Sequence, residues 1–592
     1  MADRLDQLRR QLVARGLDGF LVPRADAHQG EFLPPCAERL AWLTGFTGSA
    51  GMAVVLRDRA MLFVDGRYTL QVRDQVDGAL FEFRHLVEEP VDAWLDDNLP
   101  KDFRLGYDPW LHTPNQAGRY RSACQKAGAK LVAVSQNPID DIWLDRPAPP
   151  LAPVVVHEMS YAGMEAAQKL ALLAGGLKRD QVDAAFIAAP DSVAWLLNIR
   201  GGDVPFTPLA LAFAIMHADA TLDLFIDERK LQGVVRQHLG NAVRIHPIEG
   251  LGGVLERLGS QAKTVRVDKD ASPVWVWHKL QESGAETTAG ADPCLLPRAT
   301  KNARELEGFR AAHRRDGAAM AGFLAWLAGA LGDGGLNELS VAAKLETFRR
   351  KGDLYRGPSF ETISATGPNG AICHYRCNET TNRDLEPGSL YLVDSGGQYL
   401  DGTTDITRTV AIGSPTAEMC DRFTRVLKGH IALDTAVFPT GTTGSQLDTI
   451  ARKPLWDVGL EYDHGTGHGV GSYLGVHEGP ARISKVPNRV ALEPGMVLSN
   501  EPGFYKTGEF GIRIENLVAV QARDDAAPDG QTFLGFETLT LVPIDVSLIA
   551  WELLDATEKD WLNNYHARVR REITPLVDAD TARWLERVTC SK

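Results

Sequence analysis

Two periods of apolar and polar residues run along this chain, and their order predicts its organisation. The opening MADRLDQLRRQL is charged and helical in pattern. The helical stretch LDQLRRQLVARGLDGFLV leads to AWLTGF, an apolar run and LFVDGRYTLQ. A second series repeats the plan: LLAGGLKRDQVDAAFIA, AWLLNI, a longer apolar run and LFIDERKLQ. The AWL triplets begin at Ala41 and Ala194, 153 residues apart, and the later aspartates, Asp65 and Asp227, are 162 apart. An insertion of nine residues around Val204–Pro208 accounts for the difference. Helices alternating with short β-rich runs make each series an α/β unit, so the chain is expected to open with two related copies. The competing reading is chance similarity between two α/β units.

Two proline-rich stretches, Asp145–Pro153 (DRPAPPLAP) and Ala291–Pro297 (ADPCLLP), are unsuited to a helix interior or a central strand and are expected to be linkers. They divide the chain into 1–150, 151–298 and 299–592. The third segment opens with helical runs and turns to strand-like SLYLVDSG, DITRTVAI, GMVLSNEPG, GIRIENLVAV and TLTLVPI. Helices over Ala417–Phe438 and Gly444–Val458 lie between them, which predicts an α+β domain built on a largely antiparallel sheet. From about Ala550, WELLDATEKDWLNNYHARVRREI has the pattern of an amphipathic helix, able to cover the domain or a partner subunit.

Length agrees with this division, because 592 residues exceed what one hydrophobic core organises. The net charge of −14 argues against a nucleic-acid footprint, which needs a concentrated basic surface. The first residues lack the apolar core of a signal peptide, and the weakly polar run Ala318–Gly332 is too short for a bilayer, so it is expected to be a buried helix and no membrane is implied. Seven scattered cysteines, an odd number, do not form a disulfide framework and fit a reducing cytoplasm.

Chemistry enters with polar residues at strand edges, where burial demands a partner. In Ile512-Arg513-Ile514-Glu515-Asn516-Leu517 the strand period puts Arg513 and Glu515 on one face, so Glu515 needs a cation; Arg513 itself or a metal would serve. Asp394 ends the apolar SLYLVD run, Asp405 begins DITRTVAI eleven residues later as on a facing strand, and Glu501 follows GMVLSN before a Pro-Gly turn. Each alone reads as a turn or capping residue; four in one domain point to a metal site. HGTGHGVGSYLGVHEGP adds His464, His468 and His477 among glycines that make a helix improbable, either as ligands and site residues or as a flexible surface turn. Four carboxylates and one imidazole suit manganese or a similar ion at a two-metal centre better than structural zinc. Such a pair lowers the pKa of a bridging water toward ~7 and polarises a carbonyl. Cys373-His374-Tyr375-Arg376-Cys377 is half of a zinc knuckle with no second half, hence free thiols. GxSxG, HExxH and Walker-type loops are absent, and GTGHGVG matches a dinucleotide fingerprint only loosely.

The phrases HYRCNETTNRDLEPGSLYLVDSGGQYLDGTTDITRT, VLKGHIALDTAVFPTGTTG, HGTGHGVGSYLGVHEGP, SNEPGFYKTGEFGIRIENLV and KNARELEGFRAAHRRDG together resemble the aminopeptidase P branch of the pita-bread metallopeptidases, in its long three-domain cytosolic form. The resemblance is dense over 299–550 and thinner before it. It implies a pita-bread (creatinase/aminopeptidase-like) α+β catalytic domain preceded by two related α/β domains that support dimerisation and restrict access. It implies cleavage of the bond before a proline in second position, with two divalent metal ions per subunit, expected to be Mn2+. Asp394 would hold one metal, His468 and Glu501 the other, and Asp405 and Glu515 would bridge the pair. Glu501 would also shuttle a proton to the leaving nitrogen, and His477 would hydrogen-bond the scissile carbonyl or oxyanion. His374, also counted with His477 and Glu501 among the catalytic residues, and His464 would line the pocket for the proline and the next residue, and Arg513 would orient a ligand carboxylate. A proline bond is a tertiary amide, so the enzyme must recognise the ring and supply a proton to the departing nitrogen. The alternatives are a prolidase, which cuts Xaa-Pro dipeptides only, and a non-catalytic pita-bread binding protein, whose relatives have usually lost the ligands present here.

Overall fold

The computed structural model describes residues 1–523 and 531–590. They form two compact units, one of Met1–Met159 with Met164–Leu295, the other of Ser160–Gly163 with Leu296–Lys592.

The first unit carries two six-stranded sheets with one topology. Strands β1 (Gly19–Pro23), β2 (Met52–Leu56), β3 (Ala60–Val64), β4 (Glu82–His85), β5 (Arg104–Tyr107) and β6 (Lys130–Ala133) lie in the order β4-β3-β2-β1-β5-β6. Strands β7 (Ala184–Ile187), β8 (Phe213–His217), β9 (Leu222–Phe225), β10 (Val243–His246), β11 (Thr264–Val267) and β12 (Glu286–Ala289) repeat it as β10-β9-β8-β7-β11-β12. Each sheet has two antiparallel pairings, β1/β2 and β2/β3 matching β7/β8 and β8/β9. The other three pairings are parallel in both. Alternate residues of β1 enter different cores, Phe20 and Val22 on one face and Leu21 on the other, as the two-residue period requires of a strand covered on both sides. Both AWL triplets fall in the helix after the first strand, Arg39–Thr44 and Pro190–Leu197. Both later aspartates cap a short turn, Asp65 accepting from the Arg67 amide and Asp227 from that of Arg229. The repeat read from the sequence is therefore structural.

The second unit opens on the helix Ala303–Ala330, capped by Asn302 and Glu305 in a reciprocal capping box. The run expected as a buried helix forms its C-terminal half. The strands that matter for the site are β13 (Ile363–Thr366), β14 (Ser389–Ser395), β15 (Ile406–Ile412), β16 (Phe438–Pro439), β17 (Gly467–Gly469), β18 (Glu478–Ile483), β19 (Val497–Asn500), β20 (Gly503–Lys506), β21 (Phe510–Arg513), β22 (Asn516–Arg523) and β23 (Phe533–Thr538). One sheet runs β13-β14-β15 and a larger one β16-β23-β22-β19-β17-β18, and all these pairings are antiparallel. Helices Ala417–Asp434 and Gly444–Trp456 occupy the two expected places.

Three local expectations change. GIRIENLVAV is not one strand: β21 pairs with β20 in a separate ribbon, and β22 joins the large sheet after a break at Ile514–Glu515. TLTLVPI is not a strand either, the pairing segment being the preceding Phe533–Thr538. Its carbonyls are met by side chains, Arg408 Nη2 donating to Val542 O at 2.7 Å and Arg408 Nε to Pro543 O at 3.0 Å. The Ile544 amide donates to His566 Nε2 at 3.1 Å. Buried Arg408 thus replaces a sheet neighbour. Within the second proline-rich stretch Leu295–Ala299 is helical, because Pro297 lies in the first turn, where its missing amide is not needed. The helix Ala556–Ile573, expected near the C-terminus, buries Leu562, Tyr565, His566, Val569 and Ile573 against its own domain.

Candidate metal centre

Five polar side chains reach one place from five chain positions. Asp394 lies near the end of β14 opposite Thr407 of β15, and Asp405 precedes β15 by one residue, which realises the facing strands expected for this pair. His468 is the middle residue of β17, Glu501 follows β19, and Glu515 sits in the break between β21 and β22. Glu501 and Glu515, which like Asp405 lie outside the strands, are tied by backbone bonds, Glu501 N to Thr466 O at 2.8 Å and Glu515 N to Thr407 O at 3.1 Å. Two glycines let the strand of His468 fit between its neighbours. A Cβ on Gly467 would lie 2.0 Å from the Ser499 carbonyl, and one on Gly469 would lie 2.2 Å from the Glu478 carbonyl. Only glycine lets β17 press between its neighbours.

The hydrogen bonds leave one pattern of atoms facing inward. His468 Nδ1 lies 3.0 Å from the Gly469 carbonyl, so that nitrogen carries the proton and Nε2 presents a lone pair. Asp405 Oδ2 and Glu501 Oε1 are each 3.5 Å from Nε2. One ligand atom each of Asp405, His468 and Glu515 falls within a 4.8 Å span. Arg513 Nη2 holds Asp394 Oδ2 at 2.5 Å, Thr407 Oγ1 donates to Glu515 Oε2 at 2.8 Å, and Ser499 Oγ donates to Glu501 Oε1 at 3.2 Å. The remaining oxygens Asp394 Oδ1, Asp405 Oδ1 and Glu515 Oε1 are buried with no hydrogen-bond partner. Carboxylates so placed repel one another and the imidazole lone pair. Burial, then Asp394 and Glu501, pushes the Asp405 carboxyl well above its usual range. Burial, then Asp405, does the same to Glu515. Burial raises Glu501 to about 7 against the opposing pull of Arg513. Hard oxygen donors without hydrogens, around one imidazole lone pair, are what divalent cations bind, so these residues fit a metal centre.

The other expected residues are placed less uniformly. His477 is exposed, its ring edge-to-face with His468 at 4.3 Å. His464 Nδ1 lies 2.7 Å from the Gly465 carbonyl and Nε2 lies 2.9 Å from the Tyr505 hydroxyl, which occupies both ring nitrogens. Burial, then Arg513, lowers this imidazole to about 3, so it is neutral. Arg513 Nη1 donates to Tyr505 OH at 2.5 Å and Nε to Thr407 Oγ1 at 3.2 Å. Arg513 and Glu515 thus meet through Thr407, and the guanidinium pairs with Asp394. His374 is half-buried in a turn, next to Cys373, whose sulfur is 3.9 Å from Arg513 Nη1. The cysteines of the CHYRC stretch are in no disulfide. Tyr505, Thr407 and Ser499 were not singled out in the sequence. Thr407 was accessible to reasoning, two residues from Asp405 in a strand-like run; Tyr505 carries no periodic signal.

A model of metallopeptidase family M24 matches residues 307–522, and one of the C-terminal region of peptidase M24 matches 532–591. Models of the creatinase/prolidase N-terminal domain match 4–142 and 145–305. A probable Xaa-Pro aminopeptidase P of Laccaria bicolor is 41% identical over 603 residues, covering 99% of this chain and 92% of the relative. Aminopeptidase P2 of Arabidopsis thaliana is 40% identical over 608 residues, covering 96% of this chain and 85% of the relative. The crystal structure of the X-prolyl aminopeptidase of Caenorhabditis elegans, described as a cytosolic enzyme with a di-nuclear active site, superposes with a TM-score of 0.96 at 35% identity, over 100% of this chain and 99% of that one.

Proposed function

This chain belongs to metallopeptidase family M24, and on that premise we propose that it is an Xaa-Pro aminopeptidase, releasing the first residue from peptides with proline in second place. The observation that carries the reading is the set of three buried carboxylate oxygens without hydrogen-bond donors beside the His468 Nε2 lone pair. Asp394 would hold one divalent cation, His468 and Glu501 a second, and Asp405 and Glu515 both. The bound cations, which we take to be Mn2+, supply Lewis acidity toward the scissile carbonyl and a water acidic enough to react near neutral pH.

The chain's own groups supply the rest. Glu501, facing the centre beside His468, would pass a proton to the proline nitrogen, which leaves without one of its own. His477, beside His468, is placed to donate to the carbonyl oxygen as charge develops. His464 has no free nitrogen, so it offers the substrate only its ring, and with His374 it would wall the proline side. Arg513 fixes Asp394 and keeps one oxygen turned toward the centre.

The same reading divides the chain at 1–150, 151–298 and 299–592, with the catalytic domain last. It takes the protein as a homodimer in the cytoplasm. Support for that setting comes from the cytosolic C. elegans enzyme, from the free cysteines, and from the lack, among the described residues, of a helix long and apolar enough to cross a membrane. Release of the first residue from Xaa-Pro-Xaa, Xaa-Ala-Xaa and the dipeptide Xaa-Pro tests the activity. Fast cleavage of the first alone is expected. Equal turnover of Xaa-Ala-Xaa would overturn the reading, and faster turnover of the dipeptide would indicate a prolidase.

A further inference from the structure

Glu338 is a fully buried carboxylate, with 0% of the residue exposed. No lysine, arginine or histidine reaches ion-pair distance of it among the described residues. Every group at its oxygens comes instead from one stretch of chain, residues 366–383. The Thr366 amide donates to Oε1 at 2.7 Å, and Asn369 Nδ2 lies 3.0 Å from both oxygens. The Arg383 amide donates to Oε2 at 3.0 Å, and the Tyr375 hydroxyl, also 3.0 Å from Oε2, shares its one hydrogen with the Thr381 carbonyl at 2.9 Å. Burial raises the Glu338 carboxyl, and these hydrogen bonds only partly offset the effect. A buried carboxylate without a cation is costly, and this one gathers a loop that contains no regular element beyond the turn Gly367–Ala371.

That loop carries His374 and rests on the metal centre. Its Gly370 carbonyl would be 1.7 Å from a Cβ on Gly511, so it lies directly on β21, the strand of Arg513. The strand leading into it, β13, pairs Ile363 with Asp394. His374 stands between two anchors. Cys373 touches Arg513, and Tyr375 reaches Glu338 and, at 2.9 Å, the Thr381 carbonyl.

We propose that Glu338 is a positioning residue which, through Tyr375 and Asn369, fixes His374 and so sets the fit of the proline side of the substrate. The inference rests on the Xaa-Pro reading of the site. Glu338 touches neither the cations' expected ligands nor the reacting atoms, so its removal acts on substrate fit.

The test is a double-mutant cycle on the full chain loaded with manganese. Tyr375→Phe deletes one hydroxyl and is expected to raise KM for Xaa-Pro-Xaa about tenfold, the scale of one buried hydrogen bond, with kcat and metal content unchanged. His374→Ala is expected to raise KM as well, and adding Tyr375→Phe to it should change KM no further. Glu338→Gln should shift KM in the same direction by more, because its NH2 must face a donor; if it does not fold, the Tyr375→Phe cycle decides alone. Independent, additive effects, or a loss of thermal stability with KM unmoved, would overturn the inference while leaving the proposed activity standing. A wild-type enzyme inactive on Xaa-Pro-Xaa would overturn both.

Discussion

Two clusters of acid and histidine, one in each unit, are electrostatic opposites. In the first unit Asp223 receives Arg244 Nε at 2.7 Å and His246 Nε2 at 2.8 Å on one oxygen. His217 Nε2 at 2.7 Å and Arg244 Nη2 at 3.1 Å meet the other. Burial alone would raise this carboxyl, but the bonds from His217, Arg244 and His246 outweigh it and hold the group well below its usual range. In the second unit Asp405 and Glu515 each keep an oxygen with no donor, and their carboxyls are driven the other way. Residue types do not separate the two clusters. What separates them is whether the donors present saturate the oxygens. A saturated carboxylate is a structural anion, and an unsaturated one beside an imidazole lone pair waits for a cation.

Substitutions should break this contrast with graded severity. Asp405→Asn is expected to abolish peptide release and to lower bound metal, read by assay and elemental analysis, since the amide carries hydrogens where the site needs lone pairs. Arg513→Lys keeps the charge but loses the fork shared by Asp394, Tyr505 and Thr407; metal affinity should fall about 10–100-fold, measured by competition with a chelator. Asp223→Asn should leave metal content and kcat untouched and cost about 1–3 kcal/mol of stability in a denaturant melt, because it breaks a satisfied buried network. The mildest test is pH. In the metal-free protein Glu501 is raised from 4.5 to about 7, so the folded state binds the proton more tightly than the unfolded one. Stability then falls as pH rises through that window and is greater below it. Melting the metal-free protein across this range should show that fall, and added manganese should reverse it above neutrality.

Much of this was legible in the chain. The AWL and LF-Asp phrases marked the repeat because each serves the same place in both copies, a helix after the first strand and a capped turn after the third. Asp394, Asp405 and Glu501 were legible as charges ending or opening apolar runs. Glu515 was found for a partly mistaken reason, since Ile514–Glu515 is a break between two sheets and no strand alternation applies there. TLTLVPI misled because its polar backbone is satisfied by Arg408, more than a hundred residues earlier, and local pattern carries no such contact. Tyr505 and Glu338 were invisible for the same reason. The full occupancy of His464 could be learned only from geometry.

Anomalous diffraction from manganese-loaded crystals tests the central claim most directly. Two peaks are expected, ~3.5–4 Å apart, one touching Asp394, one touching His468 and Glu501, and both touching Asp405 and Glu515. Two fully occupied peaks elsewhere, or none at these five side chains in crystals of active enzyme, would contradict the account.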